Sequence, residues 1–256
     1  EQPSMTVTDA FFESFSGLTT TGATVIEGID FLPHSVQFYR QQLQWLGGMG
    51  IIVLAVAILP ILGVGGMQLY RAETPGPVKD NKMTPRIADT AKHLWYIYLS
   101  ITIACAGAYW LAGMNVFDAI CHSFSTVAIG GFSNHDASLG YFNSPMVNVV
   151  CTVFLLIAAL NFSLHYAAVS SRSVKGYFND PEFKAFFIIQ ASLIGICFLV
   201  LTLSGYYSSA EQALDQAMIQ AVSISTTAGF ATTDFSVWPA FLPIMLIFSS
   251  FIGGCA

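Results

Sequence analysis

The chain has 256 residues, 54% of them apolar and only 9% charged, where a soluble domain carries about a quarter charged residues. That balance excludes a soluble globular domain and places the chain in a bilayer. The net charge of −6 says less than its distribution. Lys and Arg gather at Arg71, Lys79, Lys82, Arg86 and Lys92 and again at Arg172, Lys175 and Lys184, and only Arg40 stands apart. Windows free of Asp, Glu, Lys and Arg cover residues 41–70, 93–115, 137–171, 185–210 and 235–256. Each exceeds the roughly 20 apolar residues that a spanning helix needs.

In chain order, residues 9–20 read as a short helix with an acidic first turn. At 1.5 Å per residue it reaches ~18 Å, about half the bilayer core. The polar stretch 24–40, with Gly28 and Pro33, suits a return to the outer surface. Residues 45–69 then span, with Gly47, Gly48 and Gly50 allowing close packing and Pro60 a bend. The proline-bearing stretch 71–92 is a basic linker, and 93–114 spans again with Trp95, Tyr96 and Tyr98 as interfacial anchors. A second short helix (117–127), an outward return (134–145) and a span (146–169) follow. Beyond the second basic linker, 172–184, come a span (186–206), a third short helix (211–225) and the start of a further span (237–255).

One stretch organises all of this because it occurs three times. It reads Thr19-Thr20-Thr21-Gly22-Ala23-Thr24, then Ala128-Ile129-Gly130-Gly131-Phe132-Ser133, then Thr227-Ala228-Gly229-Phe230-Ala231-Thr232. Ser16, Ser125 and Ser223 each stand six residues before the shared glycine. An aspartate opens each unit, thirteen residues before the glycine at Asp9 and Asp118 and fourteen at Asp215. Any single copy is an ordinary glycine-containing helix cap; the matched offsets carry the argument. Parity adds to it. Both linkers are basic and so belong on the cytoplasmic side, which makes the number of crossings between them even. Segment 117–133 therefore enters and leaves on one side, as a re-entrant hairpin.

Irregular backbone at membrane depth is tolerated only where it is buried in protein or lines a water-filled cavity. Carbonyls of a Thr/Gly turn at that depth can replace the hydration shell of a monovalent cation. Each short helix directs the negative end of its dipole at the bilayer centre, and acids at the outer face concentrate cations there. Thr20, Thr21, Thr226 and Thr227 supply hydroxyls as ligands or braces. Asn161 and His165, one turn apart within a span, are candidates for the conduction path, with a buried hydrogen-bonded pair as the alternative. His122 reads as a partner for neighbouring backbone. Tyr206, Tyr207 and Trp238 read as interface anchors. The small-residue run from Ser249 to Gly254 reads either as an unwound gate or as tight helix packing. Cys105, Cys121, Cys151, Cys197 and Cys255 lack metal-ligand spacing and read as packing residues. No paired intramembrane aspartates, Ser–His arrangement or zinc motif points to an enzyme.

At Phe11-Phe12-Glu13-Ser14-Phe15-Ser16-Gly17-Leu18-Thr19-Thr20-Thr21-Gly22-Ala23-Thr24, at Gln44-Trp45-Leu46-Gly47-Gly48-Met49-Gly50 and at Ser225-Thr226-Thr227-Ala228-Gly229-Phe230, the sequence resembles the Trk/Ktr/HKT potassium transporter superfamily. The resemblance covers essentially the whole chain. It implies an all-α polytopic membrane protein of parallel M1–P–M2 repeats, with re-entrant pore loops around a pseudo-fourfold axis. On that pattern 1–70 holds the first pore loop and M2, 71–92 a cytoplasmic linker and 93–171 the second M1–P–M2 unit. A further linker follows at 172–184, and 185–256 holds the third M1–P and the start of its M2. Carried over by position, the K⁺-binding filter is Thr20, Thr21 and Gly22; Ile129, Gly130 and Gly131; and Thr227, Ala228 and Gly229. Gly22, where sodium-transporting members tend to carry serine, leans towards potassium. The resemblance also implies a gating loop at Gly253 and Gly254, and K⁺ as transported ion with no bound cofactor. It further implies a homodimer, a cytosolic nucleotide-binding subunit of the TrkA type and the bacterial inner membrane. Three repeats close a ring poorly. The chain reads as a fragment, with a fourth expected beyond Ala256.

Overall fold

In the computed structural model of the chain, residues 5–50, 87–239 and 241–253 are described. The first span beyond Gly50 with its bend at Pro60, the first linker up to Arg86, and Gly254 and Cys255 lie outside them. Among the described residues every regular element is helical.

Helix α1 (Val7–Leu18) starts at a capping box. The Asp9 amide donates to the Thr6 hydroxyl (3.2 Å) and the Asp9 carboxylate accepts from the Thr6 amide (3.0 Å), which satisfies two of the donors that a helix start leaves open. Helix α2 (His34–Gly48) begins directly after Pro33, well inside the stretch predicted as an outward return. Charge-free windows locate only the apolar part of a helix, and the first turns of α2 carry polar residues, exposed at His34 and Ser35 and buried at Gln37, Arg40 and Gln41. Helix α3 (Ile87–Leu111) is followed by α4 (Val116–Val127), which Asn115 caps by accepting from the Asp118 amide (2.8 Å).

The predicted single span 146–169 is instead two helices, α5 (Pro145–Ala158) and α6 (Phe162–Ser171), meeting at 85°. Asn161 explains the break: its side chain accepts from the Ser163 amide (2.9 Å) and so starts a new helix where the old one would have continued. A short helix, α7 (Lys175–Asn179), lies in the second basic linker. Helix α8 (Pro181–Leu203) has Asp180 as its cap and proline in its first turn. Helix α9 (Ala210–Ser225) is capped by Ser209. Helix α10 (Leu242–Ser249) gives way to a single 3₁₀ turn, Ser250–Ile252.

Helices α3 and α8 contain the segments long and apolar enough to cross a bilayer, and the bent pair α5–α6 qualifies as a broken crossing. At 1.5 Å per residue, the 25-residue α3 and 23-residue α8 measure ~37 and ~35 Å, against a core of about 30 Å. The 12-residue α1 and α4 reach only ~18 Å. Each later short helix packs on the long helix before it, α4 on α3 and α9 on α8, and α2 packs on both α1 and α4. The α8–α9 seam follows rows spaced by four: Leu193, Cys197 and Leu201 face Ala213, Ala217 and Ala221, all buried. Small residues on one side let the larger row sit close. Tyr98, Cys105, Tyr109, Cys151 and Leu155 join α3 to α5 in the larger core.

Candidate functional site

The three predicted turns share one backbone. Thr20 and Gly22 have φ of 55° and 75°, Ile129 and Gly131 54° and 78°, Thr227 and Gly229 66° and 82°. Left-handed residues thus alternate with an ordinary one, in the same register, three times. For an L-residue this conformation costs about 1–2 kcal/mol, and for a β-branched one it is an outlier. Three β-branched residues held so, at matching positions, mark a backbone that its surroundings over-determine, as functional sites do.

The matched serines do part of that holding. The main-chain oxygens of Ser16, Ser125 and Ser223 accept from the amides of Thr21 (2.9 Å), Gly130 (2.8 Å) and Gly229 (3.1 Å). The hydroxyl of Ser16 donates to Ala23 O (2.6 Å) and that of Ser223 to Phe230 O (2.7 Å), in each case the residue after the turn glycine. Ser125 departs from this pattern and donates to Oε1 of Gln44 (2.7 Å), on α2.

The turns pack side by side in chain order. A methyl group on Gly22 would overlap the Gly130 carbonyl and come within 3.6 Å of Ala228 O, and one on Gly131 would overlap the Ala228 carbonyl. Glycine is needed at both for space as well as for φ. Helix α2 approaches as closely: a methyl on Gly48 would lie 2.6 Å from the Tyr98 hydroxyl and 2.9 Å from Ala128 Cβ, and one on Gly47 would overlap Leu18 O.

Behind the turns lies a buried polar belt that the sequence reading missed. Gln37, Arg40, Gln41 and Gln44 all lie on one face of α2 and all are buried. Arg40 pairs with Glu13 of α1 (2.6 Å), donates to Ser133 O (3.0 Å) and the Thr24 hydroxyl (3.3 Å), and lies over the Phe132 ring at 4.3 Å. Glu13 in turn accepts from the Thr24 hydroxyl (2.9 Å) and the Val25 amide (3.1 Å). Gln37 donates to Ile29 O and Asn134 O (2.9 and 3.1 Å) and Gln41 to the Asn134 side chain (3.3 Å). The belt therefore ties the segments leaving the first two turns to one helix. Its signal in the sequence is a polar row at helical spacing directly before an apolar run.

Beyond the turns His135 joins the first two repeats. Its Nδ1 contacts the Asp30 carboxylate, its Nε2 lies 3.2 Å from Asp118, and its ring stacks on Tyr141 at 3.5 Å. Partial burial disfavours the charged ring, but the Asp118 and Asp30 carboxylates outweigh it and hold its pKa above the ordinary 6.5. Asp136 accepts from the amides of Gly28 and Ile29 (both 3.0 Å). The loop of the second repeat meets the third in the same way, Gly140 N donating to Ala231 O (3.1 Å).

Asp9 and Asp118 sit in the first turns of their helices, but Asp215 does not: α9 starts earlier, at the Ser209 cap, with Glu211 in its first turn. Asp215 lies further in and accepts from Asn148 (2.8 Å) and Gln216 (3.2 Å). Thr226 braces the helix end, donating to Val222 O (2.7 Å), and Thr21 pairs with Thr19 (2.8 Å). His122 contacts Asp118 O and the Ser133 hydroxyl, both at 2.9 Å, as a structural partner. His165 straps the α5–α6 break through Ile157 O (3.0 Å) and Tyr177 Oη (2.7 Å), while Asn161 caps α6. Gly253, at φ 66°, leaves the helical path directly after the 3₁₀ turn. Cys105, Cys121, Cys151 and Cys197 are buried and free.

Two long helices, each followed by a short half-depth helix ending in a glycine turn, with a broken crossing after the first such pair, define a helical membrane protein of M1–P–M2 units. The family model for TrkH, a cation transport protein, matches residues 1–256. The Trk system potassium uptake protein TrkH of Vibrio parahaemolyticus is 69% identical over 258 residues, covering 100% of this chain and 53% of that protein. Its Escherichia coli counterpart is 64% identical over 256 residues, again with 100% and 53% covered. The crystal structure of the potassium transporter TrkH from Vibrio parahaemolyticus superposes with a TM-score of 0.85 at 64% sequence identity, covering 99% of this chain and 51% of that one. The chain belongs to the TrkH family of cation transport proteins. It spans about half the length of these relatives.

Proposed function

We propose that the chain supplies three of the turns of a potassium uptake pore. Dehydrated K⁺ is coordinated at the backbone of Thr20, Thr21 and Gly22, of Ile129, Gly130 and Gly131, and of Thr227, Ala228 and Gly229. The observation that carries this reading is the recurrence of one strained left-handed pair in all three turns, each at the end of a helix whose negative dipole end favours a cation. The named relatives are potassium uptake proteins, which supports K⁺ as the ion, transported without a bound cofactor. The break in the helical path at Gly253 supports an intramembrane gate there, with Gly254 beside it. Completion of the ring about a pseudo-fourfold axis, a homodimer in the bacterial inner membrane and control by a cytosolic TrkA-type subunit belong to the same proposal.

The test is ion flux into vesicles carrying the full-length protein. Saturable Rb⁺ uptake, competed by K⁺ far better than by Na⁺, is the expected result. No Rb⁺ uptake, or equal competition by both ions, overturns it.

A further inference from the structure

The three turns differ in what holds them. In the first and third, the serine hydroxyl closes the turn on its own repeat, through Ser16 to Ala23 O and Ser223 to Phe230 O. In the second, that bond is replaced by a side chain from another repeat. Gln44 of α2 accepts from Ser125 Oγ (2.7 Å) and from the Phe132 amide (3.1 Å) through Oε1, and donates through Nε2 to Gly130 O (2.7 Å). All the atoms involved are buried, Gln44 fully so. The second turn is also the one with two consecutive glycines, Gly130 and Gly131. With no Cβ on either, the peptide between them rotates with little steric resistance, so its orientation rests on hydrogen bonds. The carbonyl of that peptide is the one Gln44 holds and the one against which Gly22 packs.

We infer that Gln44 is a positioning residue for ion discrimination: by fixing the Gly130–Gly131 peptide it sets the second turn, and through that carbonyl the spacing of the second turn from the first. It touches no ion and acts through the backbone it holds. The inference rests on the conduction reading above and adds an asymmetry to it, since one repeat's turn is set by the M2 helix of its neighbour. Gln44 lies one turn before Gly47 and Gly48, where α2 closes on Leu18 and Ala128, so displacement of α2 also displaces the support of the second turn.

The experiment measures Rb⁺ and Na⁺ uptake in vesicles carrying the full-length protein. Gln44→Glu keeps the acceptor for Ser125 and Phe132 but loses the donor to Gly130 O; Gln44→Leu keeps bulk and loses both. The Rb⁺/Na⁺ uptake ratio is expected to fall about tenfold in Gln44→Glu, the scale of one lost buried hydrogen bond, and at least as far in Gln44→Leu, which loses all three. Ser192→Ala, on α8, whose exposed hydroxyl donates to Ile188 O of its own helix (2.7 Å), is expected to leave the ratio unchanged.

A second pair guards against misfolding. A methyl on Gly130 meets only Gln44 among its three nearest neighbours, at 2.5 Å from Oε1 and 2.7 Å from Nε2. Gly130→Ala combined with Gln44→Ala therefore relieves the clash without restoring the bond, so a folded double variant tests whether the bond, rather than the packing, matters. Folded Gln44 variants, or a folded double variant, with a Rb⁺/Na⁺ ratio within twofold of the unmodified protein overturn the inference. An unmodified protein that carries no Rb⁺ overturns the conduction reading, and this inference with it.

Discussion

At the scale of single residues, the turn glycines are not equivalent. The family pattern, with serine in place of Gly22 in sodium-transporting members, makes a relaxed preference for K⁺ over Na⁺ the expected outcome of serine at Gly22, and by position at Gly131 and Gly229. Packing grades them. At Gly22 and Gly131 a side chain meets a neighbouring carbonyl, whereas at Gly229 it meets nothing within 4 Å among the described residues. Gly22→Ser and Gly131→Ser are expected to lower both folded yield and Rb⁺ flux, which vesicle flux per folded protein measures. Gly229 still carries φ 82°, so a cost of about 1 kcal/mol or more remains there. Arg40 and Glu13 give a second prediction. Removing one partner of a buried pair leaves an uncompensated charge and costs about 3–5 kcal/mol. Arg40→Gln is therefore expected to lower the thermal unfolding midpoint in detergent sharply, and Arg40→Gln with Glu13→Gln to recover part of the loss. A double variant less stable than the single would contradict the pairing. The sequence displayed Arg40 only as the one cation outside the linkers; its partner, 27 residues away, is brought to it by the α1–α2 packing.

Among elements, the half-depth helices were legible because length, capping residues and glycine all lie within one short stretch. The broken M2 of the second repeat was not, since an 85° bend leaves the hydropathy of 146–169 unchanged. His165→Phe, which removes the strap to Ile157 O and Tyr177, is expected to raise hydrogen exchange in α6 and α7 while leaving α4 unaffected. His135 links Asp30 of the first repeat to Asp118 of the second. Its folded pKa lies above the ordinary 6.5, so its stabilising contribution is complete below about pH 6.5 and is lost as pH rises through the folded value. The groups that face it are the Asp30 and Asp118 carboxylates, the His122 ring at 6.3 Å and Tyr141. Exchange of the amides of residues 28–31 and 133–136 is expected to increase as pH rises from 6 to 9, beyond the intrinsic rate, and His135→Gln is expected to abolish that dependence.

For the whole molecule, the decisive expectation is that both basic linkers share one face. Two crossings, α3 and the bent α5–α6 pair, with the half-depth α4 between them, are consistent with that parity. Lys175→Cys is expected to react with an impermeant thiol reagent from the cytoplasmic side only, and Ala137→Cys from the opposite side only; labelling of both from one side would break the topology. The four described native cysteines are buried and contribute little background.

The sequence by itself determined membrane residence, the three-repeat plan, the half-depth helices and the glycine turns. Each of these is written in local composition, in short spacings or in the recurrence of those spacings along the chain, which short-range backbone and hydropathy rules decode. Only the tertiary structure decided that the serines staple the first and third turns, that Asp215 is an interior residue of its helix, and that Gln44 of α2 bonds the second turn. Those facts depend on which side chains are buried against which, across separations such as the 86 residues between Gln44 and Gly130. A polar side chain in a water-poor interior takes whichever partner the fold brings within reach, and no local pattern around Gln44 names Gly130 as that partner.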